Sequence, residues 1–131
     1  MDVQEGQSRR LAAILAEFDI SFLVAFGSRV RGAARPDSDM DLGVMFRGTP
    51  RVLEVRFELQ EVFPSVEVDL AVLNRADPLF LEQVNRSCRL LSGSEERYRE
   101  FRRLAFHRYQ DFRPYLRMEA ETNRRRLEAL V

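Results

Sequence analysis

The chain has 131 residues, 45% hydrophobic and 32% charged, with 21 basic side chains balanced by 21 acidic ones. That length can bury one core but not two independent ones, and neutrality excludes a protein that clamps long nucleic acid by neutralising its phosphates. Every basic residue is arginine, which excludes a P-loop lysine, a Schiff base and a lysine general base, so a bound phosphate is left to arginine, backbone amides, hydroxyls or a metal.

Charge is uneven along the chain. Residues 1–93 hold 11 Arg against 14 Asp and Glu, and residues 94–131 hold 10 against 7. An acidic body with a basic tail suits an acidic partner surface, or a solvated helix face. No apolar run approaches the roughly 18 residues of a membrane span. The opening MDVQEGQSRR lacks the basic-then-apolar layout of a signal peptide. The lone Cys88 has no disulfide partner and no companions for a metal site. These features lead to the expectation of a cytoplasmic protein that binds neither membrane nor nucleic acid stably.

Residues 8–18, SRRLAAILAEF, space Leu11, Ile14, Leu15 and Phe18 by three and four, predicting an amphipathic helix capped by Ser8. The continuous apolar run ISFLVAF, 20–26, ended by Gly27, predicts a buried strand. A short turn of helix is expected over 29–34, ended by Pro36, Asp37 and Ser38. MDLGVMF, 40–46, is a second strand. RVLEVRFELQEVF, 51–63, is a helix opened by Pro50, with Val52, Val55, Leu59 and Val62 on one stripe. VEVDLAVL, 66–73, alternates as a third strand, a short helix runs from Pro78 to about Arg86, and CRLL is an edge strand.

From Ser94 a long helix carries Tyr98, Phe101, Ala105, Tyr109, Phe112 and Leu116 on one stripe, covering the sheet or a subunit interface, and Pro114 should kink or divide it near Arg113. The expected fold class is α/β, a small mixed sheet flanked by helices with a C-terminal helical extension. Residues 1–93 form the core, and 94–131 the extension, part of the same domain or a partner-binding element.

Asp39 and Asp41 open the second strand, where a period of two turns both carboxylates to one face and Met40 and Leu42 to the other. Two such carboxylates repel and raise one another's pKa unless a cation lies between them, and oxygen ligands so spaced suit a hard divalent ion such as Mg²⁺. Asp69 stands on the polar side of the third strand and reaches the same cluster if the two strands are neighbours. Gly27 frees the backbone to turn, and Ser28 offers a hydroxyl and an amide for phosphate. Phosphate cradle, metal pair and third acid together point to metal-assisted transfer of a phosphorus group.

Strand, Gly-Ser, ten residues, Asp-x-Asp opening a strand, then a strand with a third Asp resembles the polymerase beta-type nucleotidyltransferase superfamily, matched by Gly27, Ser28, Asp39 and Asp41. More narrowly, GSRVRG, SDMDL, VDLAVLNRADP and the helical C-terminus resemble the minimal nucleotidyltransferases, antitoxins of the MntA type paired with HEPN toxins. The resemblance covers about residues 10–115. It implies two Mg²⁺ ions held by Asp39, Asp41 and Asp69, with ATP as substrate and AMP transferred to a tyrosine of the toxin. It implies Gly27 and Ser28 on the β and γ phosphates, and Asp69 as acceptor of the attacking hydroxyl's proton.

Arg29 and Arg31 follow closely and could steady charge on the triphosphate, or pair with Asp37 or a helix carboxylate. Asp37 reads as a turn residue, and Glu67 as a neighbour of Asp69 at the rim. Arg102, His107 and Tyr109 match the R-x4-6-H pattern of HEPN ribonucleases, but those are all-helical domains, so His107 is read as a surface or interface residue. Two other functions remain open at this point. One is nucleotidyl transfer to a small molecule such as an aminoglycoside, for which some 40 residues after the core make a meagre second domain. The other is a noncatalytic partner-binding module, against which the three intact carboxylates argue.

Overall fold

The chain is described here from a computed structural model, in which residues 3–32 and 38–130 are described. Its central strand is the apolar run: β1, Ile20–Phe26, is buried at every residue from Ile20 to Ala25 because it has a strand on each side and helices on both faces. The described elements are α1 (Glu5–Glu17), β1, β2 (Met40–Phe46), α2 (Val52–Val62), β3 (Val68–Val72), α3 (Pro78–Arg86), β4 (Arg89–Gly93) and α4 (Glu95–Ala129). The sheet order is β3-β2-β1-β4, with β1 antiparallel to β2 and β4 and β2 parallel to β3. This is the expected mixed sheet flanked by helices.

Two cores follow from the two faces. On one, Leu11, Ile14 and Leu15 of α1 and Val55 and Leu59 of α2 pack on Leu23, Ala25, Leu42 and Val44. On the other, Leu81 and Val84 of α3 and Phe101 and Ala105 of α4 pack on Phe22 and Val24. A register shift between Ile20 and Phe22 lets Ile20 join the first core while Phe22 faces the second. Phe22 meets Tyr98 and Phe101 at ring separations of 6.0 and 5.5 Å, so the start of α4 is anchored by aromatic contacts. The Tyr98 hydroxyl lies 3.3 Å from Cys88 Sγ. Burial, then that contact, pushes its pKa up to about 12.

Three expectations change in detail. Helix α1 starts at Glu5, three residues before Ser8, because the Gln7 side chain accepts from the Gln4 N–H at 3.0 Å and satisfies an end amide. The segment after Ser28 is a single hydrogen-bonded turn, Arg31 N–H to the Gly27 carbonyl at 3.2 Å, which reaches Gly32 at φ 75. A left-handed residue there ends a helical path, and residues 33–37, including Pro36 and Asp37, lie outside the described set. Pro114 does not divide α4, which runs unbroken for 35 residues. Proline removes the donor for the Gln110 carbonyl, but Gln110 and Arg113 are exposed, so water can take its place. Among the described residues no helix is long and apolar enough to cross a membrane.

Candidate active site

The site is assembled at one end of the sheet, where β1 finishes and β2 and β3 begin. Phe26 is the register partner of Asp41, and Asp41 is the register partner of Asp69 on parallel β3. Neighbouring strands lie about 4.8 Å apart, so the condition attached to Asp69 is met: it stands directly across from Asp41, close enough for its charge to raise the Asp41 pKa. Met40, Leu42 and Val44 point into the α1/α2 core, so alternation turns Asp39 and Asp41 to the α3/α4 face.

Two glutamine and asparagine contacts set that register. Gln60 of α2 accepts from the Val68 N–H at 3.0 Å and donates to the Val66 carbonyl at 2.6 Å, fixing β3 one residue before Asp69. Asn74 exchanges hydrogen bonds with both backbone groups of Phe46, at 2.9 and 2.8 Å, fixing the far end of the same pair. The Met40 N–H continues the ladder to the Glu67 carbonyl at 2.8 Å.

Asp41 is half-buried, whereas Asp39 and Asp69 are exposed. Burial raises the pKa of Asp41 above its ordinary value, the charges of Asp69 and Asp39 raise it further, and Arg31 opposes them. At Asp41, the exposed Arg31 thus acts against the repulsion of two neighbouring carboxylates. Among the described residues no three His, Cys, Asp or Glu side chains close into a ready-made cage. Asp41 and Asp69 form a pair, and Asp39 stands at its rim.

Gly27 adopts φ 80, and a Cβ there would collide with the Asp41 carboxylate, so only a residue without one lets the turn pass over that group. Its N–H donates to Ser87 Oγ at 3.3 Å. Ser87 ends α3, and nothing in its sequence surroundings points to this contact with the Gly-Ser turn. Ser28 is next in the turn and half-buried.

Arg29 has a partner the sequence does not disclose. Its Nε donates to the Asp39 carbonyl at 3.3 Å and its Nη2 to the Ser38 carbonyl, bridging the Gly-Ser turn to the entrance of β2. A planar fork holds two carbonyls in one fixed geometry, which a rotatable ammonium does not pre-organise. Arg29→Ala is therefore expected to cost about 1 kcal/mol of stability by freeing the Gly-Ser turn from the entrance of β2, with Arg29→Lys recovering only part. Denaturant midpoints of the two variants check this.

Glu67 is exposed and 4.0 Å from Arg56, a pair at the rim of β3. Arg102 bonds Asn85 Oδ1 at 2.9 Å and lies over the Tyr98 ring, and His107 is exposed beside Phe106.

Residues 9–97 match the family model described as Polymerase beta, Nucleotidyltransferase. No curated protein matches the chain in sequence. A chain of a toxin-antitoxin crystal structure with AMP-PNP superposes with a TM-score of 0.74 at 20% identity, over 88% of this chain and 96% of that one. A chain from the tri-AMPylated Shewanella oneidensis HEPN toxin in complex with MNT antitoxin gives 0.70 at 18% identity, over 92% and 98%. One from the MntA-HepT toxin-antitoxin gives 0.69 at 18%, over 91% and 97%. At such identities the likeness is one of fold. The family model spans more than half of the sequence and takes in Gly27, Ser28, Asp39, Asp41 and Asp69, and on that match the chain belongs to the polymerase beta nucleotidyltransferase family.

Proposed function

We propose that the chain transfers AMP from ATP to a tyrosine hydroxyl of a HEPN-type toxin and acts as that toxin's antitoxin. The observation that carries the reading is the Asp41–Asp69 register pair, with Asp39 on the same face and the Gly27–Ser28 turn against Asp41. The similarity in fold to chains of toxin-antitoxin structures, one with AMP-PNP and one with a tri-AMPylated HEPN toxin, supports both nucleotide and acceptor.

The donor set fits a divalent ion. Asp41 is pressed by two other carboxylates and by its own burial, and all three offer hard oxygen ligands. Asp39, Asp41 and Asp69 would hold Mg²⁺, which when bound withdraws charge from phosphate oxygens and lowers the pKa of a nearby hydroxyl. The protein's own contribution is positional. The turn would offer the Ser28 amide and hydroxyl to the outer phosphates, while the Gly27 N–H is held by Ser87 and Arg29 ties the turn to the Asp39 carbonyl.

Asp69 is exposed on edge strand β3, so an acceptor arriving from solvent can hand its proton to an Asp69 Oδ. The acceptor oxygen bonds to the α-phosphorus, the bond from that phosphorus to the bridging oxygen breaks, and pyrophosphate leaves. With ATP, Mg²⁺ and a HEPN-type toxin as acceptor, intact mass should show the toxin gaining adenylyl groups, mapped to tyrosine by peptide fragmentation. An unmodified toxin under those conditions would remove the acceptor from the proposal.

A further inference from the structure

Helix α4 is 35 residues long, about 52 Å at 1.5 Å per residue. Its buried residues, Phe101 and Ala105, both lie in the first third. The apolar stripe that they belong to does not stop there. Tyr109, Phe112, Leu116, Ala120, Leu127 and Leu130 extend it at steps of three and four with one longer gap, and none of these packs on either core among the described residues. Leu127 and Leu130 are 66% and 82% exposed. A helix of this kind is marginal alone and draws its stability from packing its apolar face.

The stripe has a mainly basic frame. At 100° per residue, Arg108 and Arg126 border one edge and Arg113 and Arg124 the other. Arg108, Arg113 and Arg126 make no ion pair among the described residues, and Arg124 reaches only Glu128, at 3.9 Å. Glu119 is the one carboxylate falling within the stripe. Two copies meeting stripe to stripe would set arginine against arginine, which costs association energy. A surface with an apolar row bordered by Asp and Glu answers both the row and the frame.

Position selects among acidic partners. Arg102 of α4 bonds Asn85, two residues before Ser87, whose Oγ accepts from Gly27. α4 therefore draws level with the Gly-Ser turn near Arg102. It also lies on the sheet face to which Asp39 and Asp41 point. A protein held along the remaining helix is held beside the carboxylates. We infer that the free half of α4 is the docking surface for the protein acceptor, engaging an apolar helical face bordered by carboxylates; this rests on the proposed transfer to a toxin. The competing occupant is a second copy, whose exposed Leu53 and Phe57 on α2, bordered by Glu17, Glu54 and Glu58, offer a similar acidic-edged patch on the opposite face.

The test uses the full chain with a purified HEPN-type toxin, and three variants: Phe112→Glu with Leu116→Glu, Arg113→Glu with Arg124→Glu, and Asp41→Asn. Calorimetry should show toxin affinity reduced about 100-fold by the apolar pair and about 10-fold by the arginine pair, the second deficit shrinking in high salt. Both α4 variants should bind ATP as the wild type does and melt within a few degrees of it. Asp41→Asn should bind toxin normally while transferring nothing. Toxin binding and labelling unchanged in both α4 variants would overturn the docking surface and leave the transfer reading standing. A wild-type dimer in sedimentation that dissolves both in the α4 variants and in Phe57→Glu would overturn it in favour of a second copy. A wild type that neither binds nor labels the toxin would defeat the transfer reading, and the docking inference falls with it.

Discussion

Asp41→Asn is expected to reduce nucleotide transfer by about 10³-fold or more while making the metal-free protein slightly more stable. The two effects have one cause. Asp41 pairs with Asp69 in register and is crowded by Asp39, so its negative charge is both what would hold a cation and what the empty fold tolerates poorly. In the folded chain its carboxyl binds a proton more tightly than in the unfolded chain. The folded state therefore loses stability as pH rises from the ordinary value of 3.8 through the raised one, and the whole cost is present above it. The amide removes that dependence. Thermal unfolding of the variant at neutral pH, without divalent ions, should rise by about 2 °C. Added Mg²⁺ should stabilise the wild type and leave Asp41→Asn unmoved, which differential scanning of the two proteins with and without the ion will show.

Gly27→Ala is expected to cost about 1–2 kcal/mol of stability and about 100-fold of activity. The added Cβ meets the Asp41 carboxylate and must also sit at φ 80. Gly32 separates these contributions, since it adopts φ 75 with nothing within 4 Å of a new Cβ. Gly32→Ala should therefore show a similar backbone cost and keep activity within a few-fold. Denaturant midpoints and transfer rates of the two variants distinguish a strained turn from a displaced carboxylate. Equal activity losses would mean that Asp41 does not depend on the passage of the turn.

Most elements were legible because their burial matches their period. ISFLVAF is buried from both faces and so is apolar throughout, and β3 alternates because Asp69 faces solvent while Val68 enters the core. The spacing from Gly27 and Ser28 to Asp39 and Asp41 was also legible, as local sequence. The adjacency of Asp69 was only conditional, because strand order depends on long-range pairing that no periodicity reports. Its physical basis is partly in Gln60 and Asn74, whose side chains bind backbone on other elements. Such contacts leave no pattern in the chain. The same holds for Ser87 beneath the Gly-Ser turn and for Arg29, whose guanidinium binds carbonyls rather than the carboxylate that charge alone suggested. Pro114 does not divide α4 for a different reason: the rule against internal proline weakens where the orphaned carbonyl faces water.

In the proposed transfer the α-phosphorus of ATP moves to the toxin and the γ-phosphorus leaves in pyrophosphate. Parallel reactions with α-labelled and γ-labelled ATP, Mg²⁺ and a HEPN-type toxin separate the two. The α-label is expected on the toxin and the γ-label only in released pyrophosphate, with transfer lost when Asp39 and Asp41 are both replaced by Ala. Label arriving on the toxin from the γ position, or α-label transfer that survives those two replacements, would contradict the proposed transfer.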